Sequence, residues 1–363
     1  MLSHSGAANV FCASNEYIRA EVSFDGHSNA VAIDPRRLVR DLKPFRESYP
    51  ARSAWELAVT LLPFFFVCGL MLVAVQAGHV LGLVLVLPAG LLLLRLFLIQ
   101  HDCGHGAFLP SRVGNDWLGR ALGVLTLTPY DCWQRSHALH HAGTGNLDAR
   151  GFGDVDTLTV SEFQTRGRLG QLLYRLYRHP AVLFGLGPAY LFLLRHRLPI
   201  GLVREGRRYW VSAMGTNAAT ACLLALLVHE FGMSVTALVL SPVLLVAATT
   251  GVWLFYVQHQ FEEAHWERDH SWSFHHAALL GSSHLDLPPV IRWFSANIGV
   301  HHVHHLASRI PFYRLPEVLR AHPELNELNR VTARQSLGTL RLALWDQDQR
   351  RLVRFPRWFP ALR

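Results

Sequence analysis

What this chain lacks narrows it first. Only 17% of its 363 residues are charged while half are hydrophobic, a balance that points to a membrane protein with substantial mass outside the bilayer. Lysine is all but missing: Lys43 is the sole lysine among 34 basic residues, and no mechanism attaches to that habit. Cysteine is sparse and unpaired. Cys12, Cys68, Cys103, Cys132 and Cys222 form no CxxC, which argues against a disulfide framework or a zinc ribbon. A secretory leader is not expected, because residues 1–50 are polar and hold no apolar stretch behind a basic start. Internal repeats and long low-complexity segments are absent too. The net charge of +8 comes from Arg residues that flank apolar runs and form no dense stripe. That pattern suits basic cytoplasmic loops and attraction to anionic membrane lipids, and no nucleic-acid partner is expected.

Four apolar runs are long enough to cross a bilayer, at about 55–76, 80–98, 209–227 and 235–257. Short links that carry no Lys or Arg join the first to the second (Ala77-Gly78-His79) and the third to the fourth (His229-Glu230-Phe231-Gly232), so the runs predict two helical hairpins. Pro63, Pro88 and Pro242 fall inside them and predict kinks. Arg residues concentrate before the first run, between the second and third, and after Arg292. The positive-inside rule then puts both termini and the long 99–208 segment in the cytoplasm. Within that segment, 169–194 is apolar but broken by Arg175, Arg178, His179, Pro180 and Pro188; it reads as one or two helices lying on the membrane surface, with a fifth span as the alternative. The expected architecture is all-α and integral to the membrane: four transmembrane helices in two hairpins under a cytosolic helical cap. Residues 1–39 read as a partly disordered arm, 40–352 as the functional domain, and 353–363 as a basic tail.

Against this background stand 22 histidines, and they cluster. His101 and His105 lie at i and i+4 directly after the second run, on one helical face. His137, His140 and His141 follow an H-x-x-H-H spacing, which brings three imidazoles together from little more than one turn. His301, His304 and His305 repeat that spacing, with His302 as an extra. Each cluster alone has a bland alternative, two unrelated histidines or a solvated patch. Two copies of one spacing plus an HxxxH, all on one predicted membrane face, point to metal. Neutral imidazole suits zinc, copper, iron and nickel. One zinc takes about four ligands, so this set exceeds its demand and fits two metals. Only a lone cysteine, Cys103, lies within the clusters, which does not suggest iron–sulfur.

HDCGH, HALHH and HHVHH between two apolar hairpins resemble the three histidine boxes of the membrane fatty acid desaturases. The surrounding wording strengthens the likeness: GHGAF after the first box, FYVQHQFE after the fourth run, and DLPPVIRWFSANIGVHHVHHLASRIPFYRLPE around the third. It is similar to the bacterial acyl-lipid Δ12/ω-6 type more than to the acyl-CoA Δ9 type, over about residues 40–352. The resemblance implies a histidine-ligated di-iron centre, with His101, His105, His137, His140, His141, His301, His304 and His305 as ligands. It adds one histidine past the last span, His259, with His265 as its competitor. His302 reads as a supporting group, and His270, His275, His276 and His284 as surface or supporting groups. Asp102, Asp154, Asp156 and Glu262 are candidates to accept hydrogen bonds from ligand imidazoles, each with a solvated role as the alternative.

The implied reaction is O2-dependent: two irons supply an oxidant that no side chain can match, and two successive hydrogen abstractions give a cis double bond. Electrons need an outside source, since the chain holds neither a Rossmann glycine motif nor an HPGG segment of the cytochrome b5 type. A ferredoxin or cytochrome b5 is the expected donor, and the oligomeric state stays open. The acyl-lipid substrate is expected in an apolar tunnel near Trp133, Trp253 and Trp293, for which interfacial anchoring is the alternative. The nearest rival is a sister enzyme, a hydroxylase, acetylenase or carotenoid ketolase. A metal transporter is remote, because its ligands belong near the bilayer midplane and these clusters lie at or beyond the span ends. A multi-pass protein of the bacterial inner membrane is expected.

Overall fold

The computed structural model describes residues 18–24, 27–151 and 153–356, which are mostly helical. Residues 1–17 of the expected arm and 357–363 of the expected tail lie outside the described residues. The rest of the arm pairs as an antiparallel hairpin, β1 (Ile18–Phe24) with β2 (His27–Ile33). Asp34 then caps α1 (Pro35–Asp41) by accepting from the Arg36 and Arg37 amides.

Next come the long helices. α2 (Pro50–Gln76) starts with proline, whose missing N–H costs nothing in a first turn. Pro63 falls inside it. α3 (Val86–His105) follows a 3-10 turn, Val80–Leu85, so Pro88 sits in its first turn rather than its interior. α4 (Arg112–Leu125) and α5 (Tyr130–Gly143) pack beside α3. The apolar stretch at 169–194 breaks up after β3 (Leu158–Thr159) and α6 (Val160–Thr165) into α7 (Arg168–Tyr177), a π-turn and α8 (Gly187–Leu193), each too short to cross a bilayer. Leu169, Leu172, Leu173 and Leu176 on α7 are exposed.

α9 (Arg207–His259) is a single 53-residue helical run, yet it reverses on itself at Gly232 (φ 77°, ψ 158°). Thr236 Oγ1 donates to the Leu227 carbonyl at 3.1 Å across nine residues, which a straight helix would hold about 13 Å apart. Both ends of α9 also return to α5: the Asp131 amide donates to Ser212, and the ring of His259 lies 4.7 Å from that of His140. Among the described residues three helical stretches, Pro50–Gln76, Val80–His105 and Arg207–His259, are long and apolar enough to cross a membrane. The stretch ending in α3 is the inner one: half of its apolar window is buried, against 28% and 17% for the other two. Leu93, Leu96 and Ile99 pack in the core with Val239, Val243 and Leu254, while Leu62, Phe66, Val211 and Leu245 face outward.

The remainder is a series of short elements: α10 (Phe274–Leu280), β4 (His284–Asp286), α11 (Pro289–Phe294), α12 (His301–Leu306), α13 (Leu315–Ala321), α14 (Glu324–Glu327), β5 (Arg330–Thr332), α15 (Ala333–Thr339), β6 (Leu342–Asp346) and β7 (Arg351–Arg354). β4 pairs parallel with β5, and β6 sits between β3 and β7. The all-α expectation therefore needs correcting: the described residues are mostly helical but carry three small sheets. Their strands run from two to seven residues, too short for a convincing period of alternation in sequence.

Two buried arginines tie the helices to these later segments. Arg95, midway along α3, pairs with Glu56 of α2, donates to Thr60 and to the Trp293 carbonyl of α11, and lies 4.1 Å from the Trp293 ring. Arg178 donates to the carbonyls of Asp156 and Leu342, the Gln260 side chain and the Tyr256 hydroxyl, joining the end of α9 to β6.

Candidate metal centre

The histidines come together where the long helices end. His101 and His105 occupy the last turn of α3, which Gly106 stops in the left-handed conformation (φ 65°). Gly104 between them serves a close approach: a Cβ there would lie 2.6 Å from the Trp133 ring. That indole stacks on His137 at 4.6 Å and 16°. His137, His140 and His141 project from α5, His259 is the last residue of α9, and His301, His304 and His305 lie on α12.

The structure places all nine in two groups. One holds His101, His105, His137, His141 and His304; the other holds His140, His259, His301 and His305, and within each group the ligand atoms lie within 4.8 Å of one another. The three imidazoles of an H-x-x-H-H motif thus do not converge on one point, as the spacing alone suggested. On a helix turning about 100° per residue, i+3 falls about 60° to one side of i and i+4 about 40° to the other. The i, i+4 pair of α5 serves the first group and its i+3 histidine crosses to the second; α12 does the reverse. The rings of His141 and His305 stack at 4.0 Å across the divide.

These residues fit a metal. His137 Nε2 lies 3.0 Å from Nε2 of both His105 and His141, and His301 Nε2 lies 3.0 Å from Nε2 of both His259 and His305. One ring proton cannot satisfy such a triplet. With metal–nitrogen bonds of about 2.1 Å, neighbouring ligands at about 90° sit about 3.0 Å apart. The buried Nε2 atoms of His140 and His304 have no hydrogen-bond partner among the described residues. Burial, reinforced by neighbouring histidines, holds His137, His141, His301, His304 and His305 well below the ordinary imidazole range. They are therefore neutral, the form that ligates.

Supporting contacts single out a few neighbours. His140 Nδ1 bonds Asp154, which turns Nε2 into the second group. His259 Nδ1 donates to the Gly281 carbonyl at 3.3 Å. The other carboxylates do not play this part: Asp102 accepts the Phe312 amide and stays 3.6 Å from His101, Asp156 bonds through its backbone, and Glu262 pairs with Arg351. His265 lies near Glu267 and belongs to neither group. His302 turns its Nε2 to the Leu325 carbonyl, and burial pushes its pKa down to about 3. His284 bonds the Asn326 carbonyl, and His270, His275 and His276 also stand outside both groups. Trp133 lines the first group beside Phe97, whereas Trp293 packs on Arg95. Sequence reasoning missed the Arg95–Glu56 pair, although charges set in apolar runs were the available signal.

Bilayer-length hydrophobic helices that end in two all-histidine groups able to hold metal define a membrane-type metalloenzyme scaffold. The family described as fatty acid desaturase matches residues 77–336. The chain is 39% identical over 325 residues to a fatty acid desaturase of Bacillus subtilis (strain 168), covering 90% of this chain and 92% of that one. It is 32% identical over 259 residues to a Synechocystis sn-1 acyl-lipid omega-3 desaturase (ferredoxin), covering 67% and 68%. A Synechocystis sn-1 oleoyl-lipid 12-desaturase is 26% identical over 238 residues, covering 60% and 62%. The chain belongs to the fatty acid desaturase family and is a fatty acyl desaturase.

Proposed function

We propose that this enzyme uses O2 and two non-haem irons, one in each histidine group, to place a cis double bond in a lipid-linked acyl chain. The carrying observation is the reciprocal sorting of nine imidazoles into a group of five and a group of four. Bound iron would supply the oxidising power that removal of hydrogen from an unactivated methylene demands. The chain's own residues do the rest. His101, His105, His137, His141 and His304 hold one ion; His140, His259, His301 and His305 hold the other. Asp154 and the Gly281 carbonyl fix ring orientation. Trp133 and Phe97 give the five-histidine side an apolar wall against which an acyl chain can lie.

The reversal at Gly232 supports a reading of α9 as two spans, giving four in two hairpins. The arginine distribution then puts both termini, the short later elements and the centre on the cytoplasmic side of an inner membrane. Residues 40–352 form the desaturase unit, with the arm and the tail outside it. The exposed leucines of α7 rest on the bilayer surface. Electrons come from a separate ferredoxin or cytochrome b5. The Synechocystis relative is described as using ferredoxin, and a net charge of +8 suits an acidic partner.

Expression in a bacterial host fed defined lipids tests this, with double bonds located by mass spectrometry and iron counted in purified protein. A new cis alkene and about two irons per chain are expected, one for each histidine group. A hydroxylated or ketolated product without an alkene would reject desaturation, and iron-free active protein would reject the centre.

A further inference from the structure

Beside the third histidine motif lies a groove the mechanism does not use. β4 and β5 run parallel there, Asp286 opposite Thr332, and leave an open surface groove. Arg292 of α11 lines one side and Arg334 of α15 the other. Both are exposed, and among the described residues neither guanidinium makes a hydrogen bond or ion pair. The nearby carboxylates are already matched: Arg330 binds Asp286 at 2.7 Å and also Glu327. Two unmatched cations therefore face one opening.

The placement of the groove says what it meets. Arg95 binds the Trp293 carbonyl and so pins α11 against α3. Arg95 precedes His101 by six residues, about 9 Å along the helix axis. α11 is thus held at the level of a membrane-crossing helix, on the approach to the metal centre. Its Val290, Ile291 and Trp293 are exposed apolar side chains next to the arginines. A free anion would have no use for that apolar edge, whereas an amphiphile with an anionic head would use both. A forked guanidinium is the side chain best matched to phosphate oxygens.

We propose that Arg292 and Arg334 form a phosphate subsite that holds the headgroup of the substrate phospholipid while its acyl chain reaches the metal centre. The proposal rests on the desaturase reading and deepens it by naming the carrier: a glycerophospholipid rather than an uncharged glycolipid.

The test reads lipid affinity without turnover. Full-length protein in detergent is titrated with dioctanoyl phosphatidylglycerol, a dioctanoyl galactolipid and inorganic phosphate, and compared with Arg292→Ala/Arg334→Ala and Arg292→Lys/Arg334→Lys. The phospholipid should bind the alanine pair about tenfold more weakly, from loss of charged hydrogen bonds, with partial recovery in the lysine pair. Galactolipid affinity should not follow that pattern, and inorganic phosphate should bind more weakly than the phospholipid. In turnover assays KM for a phospholipid-linked chain should rise with little change in kcat. Equal losses for both lipids, no loss, or a defect seen only in the KM for the electron donor would overturn the subsite. Inorganic phosphate binding as tightly as the lipid would overturn the headgroup assignment. A wild type that binds phosphatidylglycerol but makes no alkene would instead sink the desaturase reading, since binding is measured separately.

Discussion

The two histidine groups are built from the same motifs but stand in different surroundings. The five-histidine group draws i, i+4 pairs from α3 and α5 plus His304, and three of its members are only partly buried. The four-histidine group takes one pair from α12, adds His140 and His259 singly, and is buried throughout. Its single members are also the ones with orienting partners, Asp154 and the Gly281 carbonyl. Those second hydrogen bonds fix the ring orientation of His140 and His259. Were each group to hold one iron as proposed, the group of four would leave it more open positions than the group of five. The group with more ligands is nearer the outside and the indole wall.

Substitutions can break this comparison, starting with the largest effect. His140→Ala removes a lone member and should lower activity by at least about a hundredfold, beyond the loss typical of an outer partner. Near-normal turnover would remove His140 from the ligand set. His304→Ala and His305→Ala alter adjacent residues that serve different groups. Each should cut bound iron by about half, and the iron left behind should differ spectroscopically between the two variants. Identical spectra would mean one merged site. Asp154→Asn should cost about 10–100-fold in iron affinity or activity, confined to the four-histidine group. A chelator should strip iron in two phases, the faster from the more exposed five-histidine group; one phase would erase the asymmetry. The smallest effect belongs to His265→Ala, which should change iron content and rate by no more than about twofold. A larger loss would return His265 to the competition with His259.

How much of this was legible in sequence depended on how local the signal was. Spacing of imidazoles on a helix is local, so the clusters stood out. Which group each ring joins was not, because it depends on how α5 and α12 are rotated against each other. Asp154 could not be told from Asp102, Asp156 or Glu262 by type. It reaches His140 from beside Gly153, which at φ 76° passes close to the His140 Cβ. The break at Gly232 falls in a short link without Lys or Arg, a local signal, whereas the Arg95–Glu56 pair joins residues 39 apart in sequence and exists only in the packed helices. The short sheets escaped notice because two- and three-residue strands carry no period.

Arg178 carries a consequence for how the enzyme is made. Its positive charge is shut inside the protein among neutral oxygens drawn from well-separated stretches, the latest being the carbonyl of Leu342. While that carbonyl is still on the ribosome, the cation lacks one of its partners, and the stretch that delivers His259 is not yet latched. Insertion into the bilayer can therefore finish before the His259 end of α9 is latched, which puts completion of the four-histidine group after synthesis of β6.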